Sequence, residues 1–273
     1  MKKTNLFLVI MLVAANLVYC QTDTSRKVYQ MNNSVDIPLT AIGVGWSAYA
    51  MTKVYNKPGS TPEQVLSLNK NNVNAFDRNW MYGYNATLDK ESYYPFYLAF
   101  PLPIIFFLTG EDTRNDFWQL SYLYLETLGV TGLFGFSATY FVDKYRPYTY
   151  DPGTPMDKRT NGGAKSSFYA GHVEVISTTT FFMAEVYSDY YPDSKYKWMF
   201  WTGATAATAG MGYVRLEAGM HFMSDVLLGA GMGALSGILV PHFHKTKFAK
   251  NHSVGFAPFY QDNHNGLSMF CKF

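Results

Sequence analysis

Six helix-length apolar stretches dominate this sequence and limit what it can fold into. Hydrophobic runs of this length exceed ordinary strands and are typical of helices packed in one bundle. Two segments rich in small residues, 202–212 and 229–237, permit close approach of neighbouring helices. We therefore predict an all-α fold with a six-helix core bundle. The six stretches are 37–55, 94–109, 118–142, 172–189, 196–214 and 223–241.

The start of the chain has the features of an export signal. Lys2 and Lys3 form a basic beginning, and an apolar run follows. Val18 and Cys20 then occupy the −3 and −1 positions of a plausible cleavage site. The sequence thus predicts a signal peptide at 1–20, with an uncleaved membrane anchor as the alternative.

The remainder of the chain divides into three parts. The last part alternates apolar and polar residues around a turn at 262–266, which predicts a small C-terminal β-hairpin. Thr61, followed by Pro62, predicts a helix start, and the loop 147–166 is long enough to carry function. The parts are a polar, extended lead-in at 21–36, a helical domain at 37–245 and a tail at 246–273.

Charge and composition narrow the classes of partner. The formal net charge of +2 is too small to favour nucleic acid. Aromatic residues make up 18% of the chain and charged residues 15%. The mean hydropathy of −0.09 lies between the values of a soluble enzyme and a multi-span membrane protein. We predict no nucleic-acid partner and leave membrane contact open.

His, Arg and Asp concentrate at three places in otherwise apolar surroundings. Each place lies at a predicted helix end. Because the third, fourth, fifth and sixth helices alternate in direction, these ends meet at one end of the bundle. We expect one polar site there. The places are Arg146-Pro147, Gly171-His172 and Arg215 with His221 and Asp225.

Such a site suits phosphate chemistry. Two guanidinium groups offer paired donors to phosphate oxygens. His221 and Asp225 are four residues apart and share a helix face, so the carboxylate can hold one ring nitrogen and leave the other to attack. The helix N-terminus at Gly171 and His172 suits an anion. Any one of these pairs alone would more often be structural. Their convergence predicts a phosphate site.

The motifs resemble those of the type-2 phosphatidic acid phosphatase superfamily, which includes the vanadium haloperoxidases. Its signature is K-x6-R-P, then P-S-G-H, then S-R-x5-H-x2-S-D. Val214 to Asp225 reproduces the third motif except for its first serine. The resemblance implies the six-helix acid phosphatase/vanadium haloperoxidase fold, with its motifs between Thr139 and Asp225.

The resemblance also implies roles for the candidate residues. His221 forms a phosphohistidine intermediate and Asp225 orients it. His172 protonates the leaving alcohol and later activates water. The implied substrate is a lipid phosphate, another phosphate ester or a pyrophosphate. Neither a metal nor another cofactor is implied. The groups that stabilise the transferred phosphoryl are Arg146, Arg215 and the amide of Gly171.

Two residues depart from the family pattern. Thr139 stands where the first motif has lysine, and Ala170 stands where the second has serine. On a continuous helix Lys144 would face away from the site, so it does not replace the lysine. The departures leave open a weakened member that acts as a binding or scaffold protein. A haloperoxidase is a further alternative, against which the loss of lysine counts.

Membrane topology follows from the resemblance and the export signal together. A cleaved signal leaves the mature N-terminus outside, and three spans would then place Arg146 inside. The family's site faces outward, so six spans conflict with cleavage. We expect export to the periplasmic side of the cell envelope, with a soluble or membrane-associated domain. A multi-span inner-membrane protein is the alternative.

Overall fold

The computed structural model describes residues 27–246, 253–261 and 264–272. The predicted signal peptide lies outside these residues. Within them, five α-helices have twenty residues or more and form the body of the fold. The predicted all-α architecture is confirmed. These helices are α1 (Asn33–Tyr55), α2 (Phe117–Phe141), α3 (Gly171–Tyr190), α4 (Lys197–Glu217) and α5 (Met223–Phe243).

Helices α1 and α2 pack in parallel through a contact between two glycines. A Cβ atom placed on Gly43 would lie 2.8 Å from the carbonyl carbon of Gly129, so only a residue without a side chain fits. Further along both helices, the indole nitrogen of Trp46 donates to Ser137 Oγ at 2.7 Å. The close crossing brings polar side chains of α1 and α2 within reach of one another.

Helix α3 lies between α4 and α5. Ser177 Oγ donates to the carbonyl oxygen of Ala230 at 2.8 Å, and the amide of Ala170 donates to the backbone carbonyl oxygen of Asp225 at 3.2 Å. Because the later residue of α3 pairs with the later residue of α5, the two helices run in the same direction. Helix α4 runs the opposite way and returns the chain to the end where α3 begins. The ends expected to converge therefore do converge.

The apolar stretch 94–109 forms two short helices rather than one. Tyr93–Ala99 and Leu102–Phe107 are separated around Pro101. A proline inside a helix removes a backbone donor and clashes with the preceding turn, so two prolines in this stretch break it. The second piece still joins the core, where Phe107 packs with buried side chains of α2 and α3.

Short helical turns fill the loops around this body. Thr61 caps one of them with a reciprocal capping box, which confirms the predicted start at Pro62. The loop 147–166 consists largely of such turns. The remaining α-helices are Pro62–Leu66, Ala75–Arg78, Ala86–Glu91, Glu111–Asn115 and Met156–Thr160, and the 3₁₀ helices are Lys70–Asn72, Pro147–Tyr150 and Gly162–Lys165.

Two predicted boundaries are wrong. Helix α2 ends at Phe141, so Arg146 lies in an extended segment after it. Helix α1 begins at Asn33, inside the predicted lead-in, because Asn32 caps it. Ahead of it, Tyr29 is buried and donates to Asp189 at 2.8 Å. A part of the lead-in is therefore packed against the domain.

Both ends of the helical domain meet at the end of the bundle opposite the converging motifs. Tyr29 forms an antiparallel bridge with Lys245. Beyond it, strands β1 (Ser253–Gln261) and β2 (His264–Lys272) pair antiparallel, with Ser253 opposite Lys272. Among the helices that the structure describes, α5 is the one long and apolar enough to cross a membrane.

Candidate active site

A cavity of about 580 Å³ opens at the end of the bundle where the motifs converge. The end of α2, the start of α3 and the end of α4 surround it. Thr139, which stands where the family's first motif has lysine, also faces it. Asp225 lies behind this wall. Five of the predicted site residues line the cavity: Arg146, Gly171, His172, Arg215 and His221.

A turn at Gly219 sets the spacing between Arg215 and His221. Arg215 lies in the last turn of α4, and the amide of Met220 donates back to its carbonyl at 3.1 Å. Gly219 has a φ of +69°, and a Cβ atom there would lie 2.4 Å from the carbonyl oxygen of Gly83. Glycine is thus required to reverse the chain. The reversal places His221 beside the arginine.

The imidazole of His221 is 2% exposed and held in one orientation. Its Nδ1 lies 2.7 Å from the carbonyl oxygen of Ser167. A carbonyl only accepts, so Nδ1 carries the proton and Nε2 has the lone pair. Arg146 Nη1 lies 3.3 Å from that Nε2. Burial, followed by Arg146 and Arg215, lowers the pKa of His221 well below its usual value, so the ring is neutral at neutral pH.

The contact expected between Asp225 and His221 is replaced by an indirect one. Because α5 begins at Met223, the two residues do not share a helix face. Asp225 Oδ2 accepts the hydroxyl of Ser167 at 2.7 Å, and Oδ1 accepts Lys144 at 2.8 Å. Asp225 therefore holds the residue whose carbonyl orients the imidazole.

Lys144 also lies elsewhere than expected. It follows the end of α2, in a strand-like bridge to Ser166, rather than on a helix. Its ammonium contacts Asp225 and lies 3.6 Å from Asp77, which in turn accepts the amide and hydroxyl of Ser224. Lys144 is not among the residues that line the cavity. It supports the loop behind the site and does not replace the family's lysine.

Arg215 is anchored by two residues that the sequence did not single out. Its side chain is 1% exposed, and Nη1 donates to Asp89 at 2.9 Å and to Ser92 Oγ at 2.7 Å. Burial lowers the pKa of the guanidinium below its usual value. Asp89 and Ser92 come from the insertion between the first two apolar stretches, where no motif marks them.

Three buried polar atoms along the cavity make no hydrogen bond within the described part of the chain. They are Ser166 Oγ, His172 Nε2 and Arg215 Nε. The first-turn amides of α3, beginning at Gly171, also lack intrahelical partners. Burial, followed by Arg215 and Arg146, lowers the pKa of His172 to about 2, so it is neutral. An oxyanion would satisfy these groups together.

Lys158 and Glu174 complete the polar wall, and sequence reasoning missed both. Lys158 Nζ donates to the hydroxyl of Tyr84 at 3.0 Å and lies 3.7 Å from Asp89. Glu174 accepts the Tyr169 hydroxyl at 2.6 Å, and burial raises its pKa to about 8. The signal for Lys158 was its place in the loop 147–166. For Glu174 the sequence contained no signal except its position in the first turn of α3.

The family comparison falls on this part of the chain. The model of the PAP2 superfamily matches residues 120–249, which contain all three motifs. This segment, just under half of the chain, is similar to the PAP2 superfamily. This confirms the resemblance.

Among solved structures, the chain is similar to a transmembrane PAP2 type phosphatidylglycerolphosphate phosphatase from Bacillus subtilis. The two share 20% identity over 88% of this chain and 94% of that chain, with a TM-score of 0.43. No curated protein matches the chain.

Proposed function

We propose that this chain is a member of the PAP2 superfamily and a phosphoric ester hydrolase that acts on a lipid phosphate through a phosphohistidine intermediate. One observation carries the proposal. The neutral, buried His221 presents the lone pair of Nε2 at 3.3 Å from Arg146, in a cavity with unsatisfied polar atoms. A nucleophile beside a guanidinium suits attack on a phosphorus atom whose oxygens need positive charge.

The first chemical step forms the intermediate. The phosphoryl oxygens bind Arg146, Arg215 and the amides at the start of α3. Nε2 of His221 attacks phosphorus in line, and the bond from phosphorus to the ester oxygen breaks. Burial, followed by Arg215 and Arg146, lowers the pKa of His172, and the negative charge of the bound substrate raises it again, so that the ring takes up a proton from solvent. Protonated His172 then donates to the leaving oxygen.

The second step returns the free enzyme. Neutral His172 accepts a proton from water, whose oxygen attacks phosphorus, and releases that proton to solvent as phosphate leaves. The phosphorus–nitrogen bond breaks, inorganic phosphate leaves, and His221 Nε2 regains its lone pair. Asp225 contributes as a positioning residue, because its bond to Ser167 holds the carbonyl that keeps Nδ1 protonated.

Lys158 supplies a third positive charge in this proposal. It lines the cavity, whereas Lys144 is directed to Asp225 behind the wall. The ammonium of Lys158 approaches the rings of Tyr84 and Tyr148 at 4.1 and 5.7 Å, which places it without a strong carboxylate bond. An ammonium group of this kind suits a phosphate oxygen.

A lipid phosphate is favoured because the cavity continues into an aromatic wall. Rings of this kind suit an acyl or isoprenoid chain next to the phosphate. The residues are Tyr55, Tyr93, Phe96, Phe100 and Phe136.

The exterior of the bundle supports membrane contact. Ile42 on α1 is 61% exposed, and Leu227, Leu235 and Leu239 are exposed along α5. Exposed apolar side chains of this kind suit a contact with lipid or protein. We place the protein at the periplasmic side of the cell envelope, exported by its N-terminal signal. Carbonate extraction tests the contact: quantitative release without detergent would contradict it.

Phosphate release from a short-chain phosphatidic acid, an isoprenyl pyrophosphate and an aryl phosphate tests the function. The wild type is expected to act best on a lipid substrate and to be inhibited by vanadate. His221→Ala is expected to abolish release, and His242→Ala, at the opposite end of α5, serves as its matched control. Equal release by wild type and His221→Ala would disprove the assignment.

A phosphate-binding protein with little turnover is the second candidate. Thr139 donates its hydroxyl to Gly135 at 3.0 Å, so it offers no donor to the cavity, and Ala170 offers none. Binding of inorganic phosphate without measurable hydrolysis of any of the three substrates would favour this candidate.

A further inference from the structure

A second polar cluster lies at the end of the bundle opposite the cavity. It joins Asp36 near the start of α1, Glu126 in α2 and His244 just after α5. Asp36, Glu126 and His244 are 5%, 1% and 9% exposed, so all three are buried. Glu126 is 13 positions before Thr139 on the same helix, about 20 Å along its axis. The cluster is therefore separate from the proposed active site.

The distances from His244 to the two carboxylates match those between the ligands of one metal ion. His244 Nε2 lies 3.3 Å from Asp36 Oδ2 and 3.5 Å from Glu126 Oε2. Donor atoms at about 2.0–2.1 Å from a tetrahedral ion are about 3.3–3.4 Å apart. All three donor atoms lie within 4.8 Å of one another.

The imidazole of His244 is oriented as a metal ligand is. Its Nδ1 lies 2.7 Å from the carbonyl oxygen of Val240, which can only accept. Nδ1 therefore carries a proton, and Nε2 faces the two carboxylates. A backbone carbonyl that holds the remote nitrogen of a ligating histidine is a recurring support for metal sites.

Glu126 gives a separate indication that the cluster binds a ligand. Its Oε2 is buried and accepts no hydrogen bond from the described part of the chain, although it points at His244. A cation would compensate a buried carboxylate of this kind. Thr40 and Tyr122, one turn away on α1 and α2, add buried hydroxyl oxygens.

We propose that Asp36, Glu126 and His244 bind one divalent transition-metal ion of the zinc type. One nitrogen and two carboxylate ligands favour zinc over magnesium or calcium, which prefer oxygen ligands alone. Water or a hydroxyl of Thr40 or Tyr122 completes the coordination. The ion ties α1, α2 and the end of α5 where the two ends of the domain meet, so its role is structural.

Zinc binding by the full chain, purified with a tag that contains no histidine and stripped with a chelator, tests this site. We expect one zinc per chain by elemental analysis and a rise in Tm with zinc, with a much smaller rise with magnesium. Glu126→Gln keeps the size of the side chain and removes its charge. It and His244→Ala are expected to weaken zinc binding at least about tenfold.

His242→Ala is the matched control, since it lies two residues before His244 and outside the cluster. It is expected to bind zinc as the wild type does. The absence of a zinc-dependent Tm shift in the wild type would overturn the proposal. So would wild-type zinc affinity in both Glu126→Gln and His244→Ala. If His244→Ala fails to fold, Glu126→Gln decides the question alone.

Discussion

The two ends of the bundle bury polar groups of opposite character. At the cavity end, guanidinium groups of Arg146 and Arg215 and unsatisfied atoms of Ser166 and His172 face a common space. At the other end, the buried groups are mainly carboxylates. They belong to Asp36, Glu126, Glu185 and Asp189, which meet His244 and Lys245.

This difference indicates the charge of the ligand that each end suits. Unpaired donors beside positive charge suit an anion, and an unpaired carboxylate oxygen suits a cation. At the second end, Lys245 already neutralises part of the charge through ion pairs of 2.6 Å to Glu185 and 2.9 Å to Asp189. Within the described part of the chain, His244 is the one ion-pair partner of Asp36 and Glu126. The same principle thus assigns phosphate to one end and metal to the other.

The largest effect on this comparison is expected from His172→Ala. If His172 protonates the leaving oxygen, its loss should slow hydrolysis of an alkyl phosphate by about 10²–10⁴-fold. An aryl phosphate has a good leaving group, needs little protonation and should lose far less. Rates on the two substrates check the prediction. An equal loss on both would show that His172 only binds phosphate.

Glu174→Gln tests the protonation of a carboxyl group that lines the same cavity as Arg146 and Arg215. Burial raises the pKa of Glu174 from 4.5 to about 8, so the folded state keeps this proton to higher pH than the unfolded chain does. Stability from this group is present below pH 4.5 and is lost as pH rises through about 8. Glutamine does not titrate. The Tm of the variant minus that of the wild type should therefore grow between pH 5 and pH 8.

The matched control for this pH experiment is Glu111→Gln, an exposed position. Its Tm difference from the wild type should stay constant over the same range. A constant difference for Glu174→Gln as well would mean that Glu174 ionises normally, and the cavity end would then hold an unneutralised carboxylate.

Asp225→Asn and Ser167→Ala test whether the carboxylate acts through the serine. Each is expected to lower kcat about 10–100-fold, because each loosens the carbonyl that orients His221. The double variant should lose no more than the worse single one, since the two residues form one chain of contacts. Full activity in Ser167→Ala would show that Asp225 orients the imidazole directly.

Local pattern accounted for the bundle and for the place of His221 in the cavity. Apolar stretches predict helices because the length of a stretch can be read from neighbouring residues alone. The spacing from Arg215 to His221 brings both residues to the cavity because a single turn at Gly219 lies between them. Contacts between distant segments were not predictable. Asp89 meets Arg215 across 126 positions, and nothing in either neighbourhood indicates the other.

The proposed metal cluster shows even more clearly that contacts between distant segments cannot be predicted from the sequence. Asp36, Glu126 and His244 are single polar residues at the ends or inside of apolar stretches, and no short motif contains two of them. The packing of α1 on α2 brings the carboxylates together, and that packing depends on tertiary contact between Gly43 and Gly129. The predicted helix boundaries were wrong for a related reason. The cap at Asn32 and the extended segment that leads to Arg146 depend on their surroundings in the folded chain.

The smallest effect is expected from restoring the two family residues at the cavity. Thr139→Lys places an ammonium where a hydroxyl now bonds only to its own helix, and it should raise kcat/KM about threefold to tenfold. Thr205→Lys is the control, because Thr205 makes the same bond on the exposed face of α4. A gain from both variants would reflect net charge rather than position.

Ala170→Ser, the second half of this restoration, should act mainly on the helix. Ala170 is the N-cap of α3 and makes no side-chain cap. A serine there can accept an amide of the first turn, which stabilises a helix by about 0.5–2 kcal/mol. The same bond withdraws an amide from the phosphate, so Tm should rise while kcat/KM changes less than with Thr139→Lys. A rate gain from Ala170→Ser without any rise in Tm would instead place the hydroxyl on the phosphate, and the anion-binding end would then extend to residue 170.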